Sequence, residues 1–240
     1  MRTLPPLNQT ALLLDLDGTL LDLAPTPDTV CVPSDLPATL TQLRTHLGGA
    51  LAIVTGRPIE QVDDLLPDIA HAVAAEHGGV IRHEPAGQAI RLPLPTPSAE
   101  LFAAARVVID GYPGTLLELK RRGFVFHFRA VPHHSRALHE AAMALMSQSP
   151  DFQVLEASMA WEIRPRGVDK GSAVAALMQR TPFYGRVPVF IGDDVTDKDG
   201  IRMCESLGGA GFLVADCFQG PAGVRAWLAR AAVDLMWPPL

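Results

Sequence analysis

Three short stretches of unbroken apolar sequence each stop at polar residues suited to chemistry. Leu12-Leu13-Leu14 runs into Asp15-Leu16-Asp17-Gly18-Thr19-Leu20, Leu51-Ala52-Ile53-Val54 into Thr55-Gly56-Arg57-Pro58, and Val187-Pro188-Val189-Phe190-Ile191 into Gly192-Asp193-Asp194. Continuous rather than alternating apolar character marks strands buried on both faces, as in a parallel sheet. Open α/β sheets gather their chemistry outside the C-terminal ends of such strands. A further short strand is expected over 70–75, followed by Glu76-His77-Gly78-Gly79, and a hairpin over 80–92 around Glu84-Pro85-Ala86-Gly87. Between the strands, the 25–33 segment reads as loop. Ser34 reads as the N-cap of a helix running to about His46 and stopped by Gly48-Gly49. Pro58 suits the first turn of the next helix, leaving Thr55 and the helix N-terminus free to hold an anion.

From about Pro97 the texture changes. Ser98 caps a helix through Asp110, two strands follow (116–119 and 124–128), then a helix over 133–147 and two more strands (152–156 and 159–163). Helix, two strands, helix, two strands is an α+β module inserted into an α/β core. The organisation is therefore 1–96 as the first part of the core, 97–166 as a cap over the strand edge that carries Asp15, and 167–240 as the second part of the core. Alternation puts Glu118 with Lys120, His127 with Arg129, and Glu162 with Arg164, each pair on one face, while Phe124, Phe126 and Phe128 take the other. The phenylalanines read as core. The charged face reads either as solvated or as a surface that hydrogen-bonds a polyol.

Composition removes several classes. Hydrophobic residues make up 48% and charged residues 19% of the 240, which supplies a core and excludes a disordered chain. A net charge of −6 offers nucleic acid no basic face. No segment approaches the roughly 20 apolar residues that span a bilayer. The N-terminal apolar run, broken by Asp15 and Asp17, is not expected to be a signal peptide. Cys31, Cys204 and Cys217 are odd in number and far apart, which fits reduced, mostly structural thiols. A cytoplasmic monomer with neither nucleic acid nor membrane as partner is the default expectation.

The candidate chemistry lies at the strand ends. Asp15 can attack, Asp17 can trade protons, and Gly18 lets the backbone turn sharply. Asp193 and Asp194, with Asp197 and Asp199 following, repel one another without a counter-ion, and Mg²⁺ is the economical one, though acids capping a helix from Thr196 would also explain them. Lys170 sits near a helix start, where the dipole disfavours a cation, so an anion is its expected partner, although a lysine taken alone would be solvent-exposed. His77, beside glycines, is expected only at the rim.

In order and context, Asp15-Leu16-Asp17-Gly18-Thr19, Thr55-Gly56-Arg57, Lys170 and Gly192-Asp193-Asp194 resemble the four motifs of the haloacid dehalogenase-like phosphatases. The likeness implies a doubly wound parallel-sheet core and Mg²⁺-dependent phosphoryl transfer. By that likeness Asp15 is the nucleophile and Asp17 the acid and base. Thr55, the Gly56 amide and Lys170 grip the phosphoryl oxygens, and Arg57 supports that side. Asp15, the Asp17 carbonyl and Asp193 hold Mg²⁺, with Asp194 supporting. Glu118-Leu119-Lys120, His127-Phe128-Arg129, Trp161-Glu162-Ile163-Arg164-Pro165 and Gly192-Asp193-Asp194-Val195-Thr196-Asp197 resemble the trehalose-6-phosphate phosphatase branch. That branch implies Glu118, Lys120, Arg129 and Glu162 as contacts to the sugar of a small sugar phosphate. Two positions depart from it: Lys198 where an acid is usual and Phe128 where Tyr is usual. The alternatives are a phosphatase of another sugar phosphate (sucrose 6-phosphate or a mannosyl phosphoglycerate) and a catalytically silent sugar-phosphate-binding domain.

Overall fold

The computed structural model describes residues 4–24, 29–67, 72–84 and 87–240. Part of the loop expected over 25–33, the start of the strand expected over 70–75 and positions 85–86 of the hairpin turn lie outside these. The chain divides into two compact units, Met1–Leu92 with Val168–Leu240, and Pro93–Gly167.

In chain order the first unit opens with β1 (Thr10–Leu14), α1 (Leu36–His46), β2 (Leu51–Val54), α2 (Ile59–Leu65), β3 (Ala72–Ala75), β4 (Val80–Arg82) and β5 (Ile90–Arg91). The second unit holds α3 (Ala99–Asp110), β6 (Leu116–Lys120), β7 (Gly123–His127), α4 (Ser135–Met146), β8 (Phe152–Ala157) and β9 (Ala160–Pro165). The first unit then resumes with α5 (Lys170–Met178), β10 (Val187–Gly192), α6 (Asp197–Ser206), β11 (Ala210–Leu213), α7 (Val214–Cys217) and α8 (Pro221–Asp234).

The first unit's sheet has the order β11-β10-β1-β2-β3-β4-β5. The strands from β11 to β3 run parallel, and β4 and β5 turn back antiparallel as the expected hairpin. From β1 the chain winds one way through β2 and β3, and from β10 the other way to β11. The boundary between β1 and β10 is thus a topological switch point, where an open α/β sheet leaves a crevice at its C-terminal edge. The unbroken apolar runs follow from two covered faces. Leu12, Leu14 and Ile53 pack with α1 and α8, whereas Leu13, Val54 and Phe190 pack with α5 and α6.

Several local expectations shift. α1 starts at Leu36, and Asp35 rather than Ser34 takes the cap position, without a side-chain hydrogen bond. Pro37 in the first turn, with its preset φ, takes over the role of a starting signal. Pro58 sits at the cap position of α2 rather than inside its first turn. All three cysteines are free, but only Cys204 is buried; Cys31 and Cys217 are exposed.

The second unit is a four-stranded antiparallel sheet, β6-β7-β9-β8. Phe124 and Phe126 pack with Leu101 and Ala105 of α3 and Leu138 and Ala142 of α4. Ser98 caps α3 as expected, its Oγ accepting from the Leu101 amide at 3.2 Å. On the other face the register lines up Glu118, Val125 and Glu162 across three strands. β7 ends at His127, so Arg129 falls in the turn beyond it and is exposed rather than sharing a strand face with His127.

Candidate active site

Parallel register builds the site. Leu14 pairs with Ile53 on one side and Ile191 on the other, so β1, β2 and β10 end level and deliver Asp15, Thr55 and Asp193 to one edge. The Asp15 amide donates to the Ile191 carbonyl at 3.0 Å, which extends the ladder one residue past the strand and fixes where the carboxylate starts. Asp15 as a residue is 4% exposed; its Oδ2 accepts from Thr19 Oγ1 at 3.3 Å and its Oδ1 from Lys170 Nζ at 2.6 Å. Gly18 turns with φ +76°, and a Cβ there would sit 2.1 Å from Asp193 Oδ2. Only glycine lets that carboxylate approach.

Lys170 is the first residue of α5, which is held by a reciprocal capping box between Asp169 and Ser172. It is buried, contrary to what a lone lysine suggests, because its ammonium lies between Asp15 and Asp197. Two carboxylates outweigh the unfavourable helix end. Asp197, the first residue of α6, is fully buried. One oxygen accepts from Lys170, and the other accepts from the Asp193 and Asp194 amides at 3.0 and 2.9 Å. Sequence reasoning placed Asp197 in the acidic run that resembles the branch motif but gave it no role in the site. Its nearness to two acids at the end of a buried strand was the available signal.

Asp15, Asp193 and Asp197 each offer an oxygen within 4.8 Å of the others. Burial, followed by Asp197, pushes the Asp15 carboxyl well above the usual carboxylate range, against the pull of Lys170. Burial, Asp197 and Asp194 push Asp193 up to about 6. Burial alone would depress Lys170, but Asp15 and Asp197 outweigh it and hold the amine above its ordinary range. Three close carboxylates against one ammonium leave buried negative charge uncompensated, and an all-oxygen set of this kind fits a hard divalent cation.

The Asp17 and Asp194 carboxylates lie outside that group. Asp17 is gripped by the Arg57 guanidinium, Nε to Oδ2 at 2.6 Å and Nη2 to Oδ1 at 2.7 Å. Asp194 Oδ1 accepts from the Val195 amide at 2.7 Å. Thr55 is buried; its amide donates to the Ala74 carbonyl at 2.9 Å and its Oγ1 accepts from the Arg57 amide at 3.2 Å. His77, expected at the rim, is buried instead: its ring lies where a side chain at Gly56 would go, 2.5 Å from a Cβ built there.

In the second unit, Lys120 Nζ donates to Glu162 Oε1 at 2.8 Å, and His127 Nε2 meets Glu118 Oε2 at 2.8 Å. Burial opposes the charge on both Lys120 and Glu118. Even so, Glu162 and Glu118 hold Lys120 above its ordinary range, and His127 and Lys120 hold Glu118 below its own. Arg129 is exposed, in the turn beyond β7. Phe128 is buried in the apolar cluster, so the missing hydroxyl leaves nothing unsatisfied. Lys198 is exposed in the first turn of α6, lining a cleft with Ile201, Phe212 and Asp216.

Residues 13–226 match the trehalose-phosphatase family model. The chain belongs to the trehalose-phosphatase family. The trehalose-6-phosphate phosphatase of Escherichia coli K12 is 38% identical over 224 residues, covering 93% of this chain and 82% of that protein. Among solved structures, the C. albicans trehalose-6-phosphate phosphatase C-terminal domain has TM-score 0.74 at 19% identity, covering 83% of this chain and 74% of that one. A haloacid dehalogenase-like hydrolase from Bacteroides thetaiotaomicron has TM-score 0.62 at 16% identity, covering 92% and 98%. These two likenesses carry the fold, and the fold and family expected from the motifs are both borne out. As a trehalose-phosphatase family member the chain is a phosphatase, with its acidic cluster at the sheet's switch point. Among the described residues no helix is long and apolar enough to cross a membrane.

Proposed function

We propose that this chain hydrolyses trehalose 6-phosphate to trehalose and phosphate, in a Mg²⁺-dependent reaction through an aspartyl-phosphate on Asp15. The observation that carries the reading is the buried Asp15 carboxylate, with Lys170 Nζ at 2.6 Å, inside the Asp15–Asp193–Asp197 group. Asp15 attacks phosphorus, and the bond from phosphorus to the sugar oxygen breaks. Asp17 gives that oxygen its proton, then takes one from the water that attacks the aspartyl-phosphate and frees inorganic phosphate. Positioned proton transfer of this kind contributes on the order of 10²–10⁴-fold. Both Asp17 oxygens accept from Arg57, which orients the carboxylate for that role.

Thr55, the Gly56 amide and Lys170 bind the phosphoryl oxygens as charge spreads over them. Asp15, Asp193 and the Asp17 carbonyl would hold Mg²⁺, with Asp194 and the buried Asp197 supporting, and the ion would supply Lewis-acid stabilisation of that charge. We read residues 97–166 as the cap that selects the substrate through Glu118, Lys120, Arg129 and Glu162. We also read the protein as a cytoplasmic monomer without nucleic-acid or membrane partners, supported by its net charge of −6 and its free thiols.

A panel of sugar phosphates assayed with Mg²⁺ or EDTA, alongside Asp15→Asn, tests the proposal. Metal-dependent phosphate release selective for trehalose 6-phosphate and lost in Asp15→Asn is the expected result. Release from sucrose 6-phosphate or a mannosyl phosphoglycerate alone would overturn the substrate, and binding without release under any metal condition would overturn the chemistry.

A further inference from the structure

A single turn joins the two elements that grip phosphate. β3 ends at Ala75, and the next three residues, Glu76, His77 and Gly78, have φ of 50°, 55° and 101°. Consecutive non-glycine residues in left-handed backbone are costly and persist only where the surroundings enforce them. The consequence here is that two amides turn sideways onto the neighbouring loop. Glu76 N donates to the Arg57 carbonyl at 3.0 Å, and His77 N donates to the Thr55 carbonyl at 3.0 Å.

The second of these bonds matters most. The Thr55 carbonyl and the Gly56 N–H belong to one planar trans peptide and point in opposite directions. Tying down the carbonyl therefore aims the Gly56 amide. The His77 imidazole backs the same glycine: a Cβ at position 56 would fall 2.5 Å from Nε2 and 2.7 Å from Cε1. On its other side the turn abuts the start of α5, since a Cβ at Gly78 would meet Ala173 Cβ at 3.0 Å and the Asp169 carbonyl at 3.3 Å. α5 is the helix that carries Lys170. Glu76 is braced by Arg91 at 3.6 Å, and Arg91 pairs in turn with Glu60 of α2 at 2.6 Å.

We infer that His77 is a positioning residue for phosphate binding, its backbone orienting the Thr55–Gly56 peptide and its ring supporting Gly56, within a turn that sets Gly56 relative to Lys170. The inference rests on reading Thr55, Gly56 and Lys170 as phosphoryl contacts. It adds that a third, buried element fixes their spacing.

His77→Asn is the informative variant, because asparagine tolerates left-handed backbone while lacking the distal ring atoms. Inorganic phosphate is titrated calorimetrically in the presence of Mg²⁺, which needs no turnover, and kcat is measured in parallel. We expect a Tm close to wild type, phosphate affinity about tenfold weaker or more, and kcat lowered by up to ~10²-fold, as for a misplacement on the ångström scale. A second pair guards against a folding artefact. Gly56→Ala should clash with the ring, and Gly56→Ala with His77→Asn should bind phosphate better than Gly56→Ala alone. Wild-type phosphate affinity in His77→Asn, or no recovery in the double variant, would overturn the inference. A wild-type protein that binds phosphate but releases it from no ester would instead overturn the phosphatase reading, and the variants' phosphate affinities would still judge His77.

Discussion

In the first unit Asp15, Asp193 and Asp197 crowd around one ammonium, Lys170, whereas in the second unit Lys120 meets Glu162 and His127 meets Glu118 one to one. The first set is short of positive charge and, apart from the half-buried Asp193, buried; in the second each carboxylate has its own donor, and apart from Glu162 it is half-exposed. A buried imbalance can be relieved only by a cation or a proton, so it is a feature that a ligand completes. A partly solvated set in which each carboxylate already has a donor is satisfied and can exchange partners with a polyol at little cost. Under the proposed function, chemistry and selectivity fall to different units, and each handles charge in its own way.

Four changes probe that contrast, the largest first. Lys170→Met leaves Asp15 and Asp197 buried without their counter-charge, and breaking such a set costs about 3–5 kcal/mol. Denaturant unfolding should show the loss, turnover should vanish, and adding Asp197→Asn should return part of the stability but not the activity.

The second change is pH. Asp193 is pushed up to about 6, so the folded protein holds this proton more tightly than the unfolded chain does. Its charge therefore costs stability above that range, and the cost is relieved as pH falls through about 6 toward the ordinary carboxylate range. Metal binding needs the ionised form. Mg²⁺ should thus raise Tm most at neutral pH and progressively less below about 6, and a flat response across that window would contradict the imbalance.

Third, in the second unit, Glu118→Ala or Lys120→Ala removes a charge-assisted partner and should raise KM for trehalose 6-phosphate about tenfold. Steady-state kinetics should show KM moving more than kcat. Smallest of all, Ser98→Ala removes the α3 cap bond and should cost about 1 kcal/mol of stability. Thermal melts should show a shift of a few degrees, with the Mg²⁺ response kept.

The continuous apolar runs made β1, β2 and β10 legible, and with them the common edge that Asp15, Thr55 and Asp193 share. Ser98 was legible because a cap is a local signal. Asp197 was legible only in part: its nearness to Asp193 and Asp194 was a local signal, but its reach to Lys170, 27 residues away, is a pairing no local pattern encodes. The burial of Lys170 was hidden for the same reason: its partner Asp15 is 155 residues away in sequence. His77 misled because glycines beside a histidine suggest an exposed turn, while the left-handed path that tucks the ring against Gly56 follows from the parallel neighbour. Arg129 misled because alternation does not say where a strand stops. The pairing of Arg57 with Asp17, across 40 residues, joins two motifs that each look complete alone.

The central claim is a covalent phosphoryl group on Asp15, and rapid acid quenching of the enzyme during turnover of trehalose 6-phosphate, followed by peptide mass spectrometry, tests it directly. A phosphoryl adduct on the peptide containing Asp15, absent without Mg²⁺ and absent in Asp15→Asn, is the predicted result. Sustained phosphate release with no adduct at any quench time, together with turnover surviving in Asp15→Asn, would contradict it.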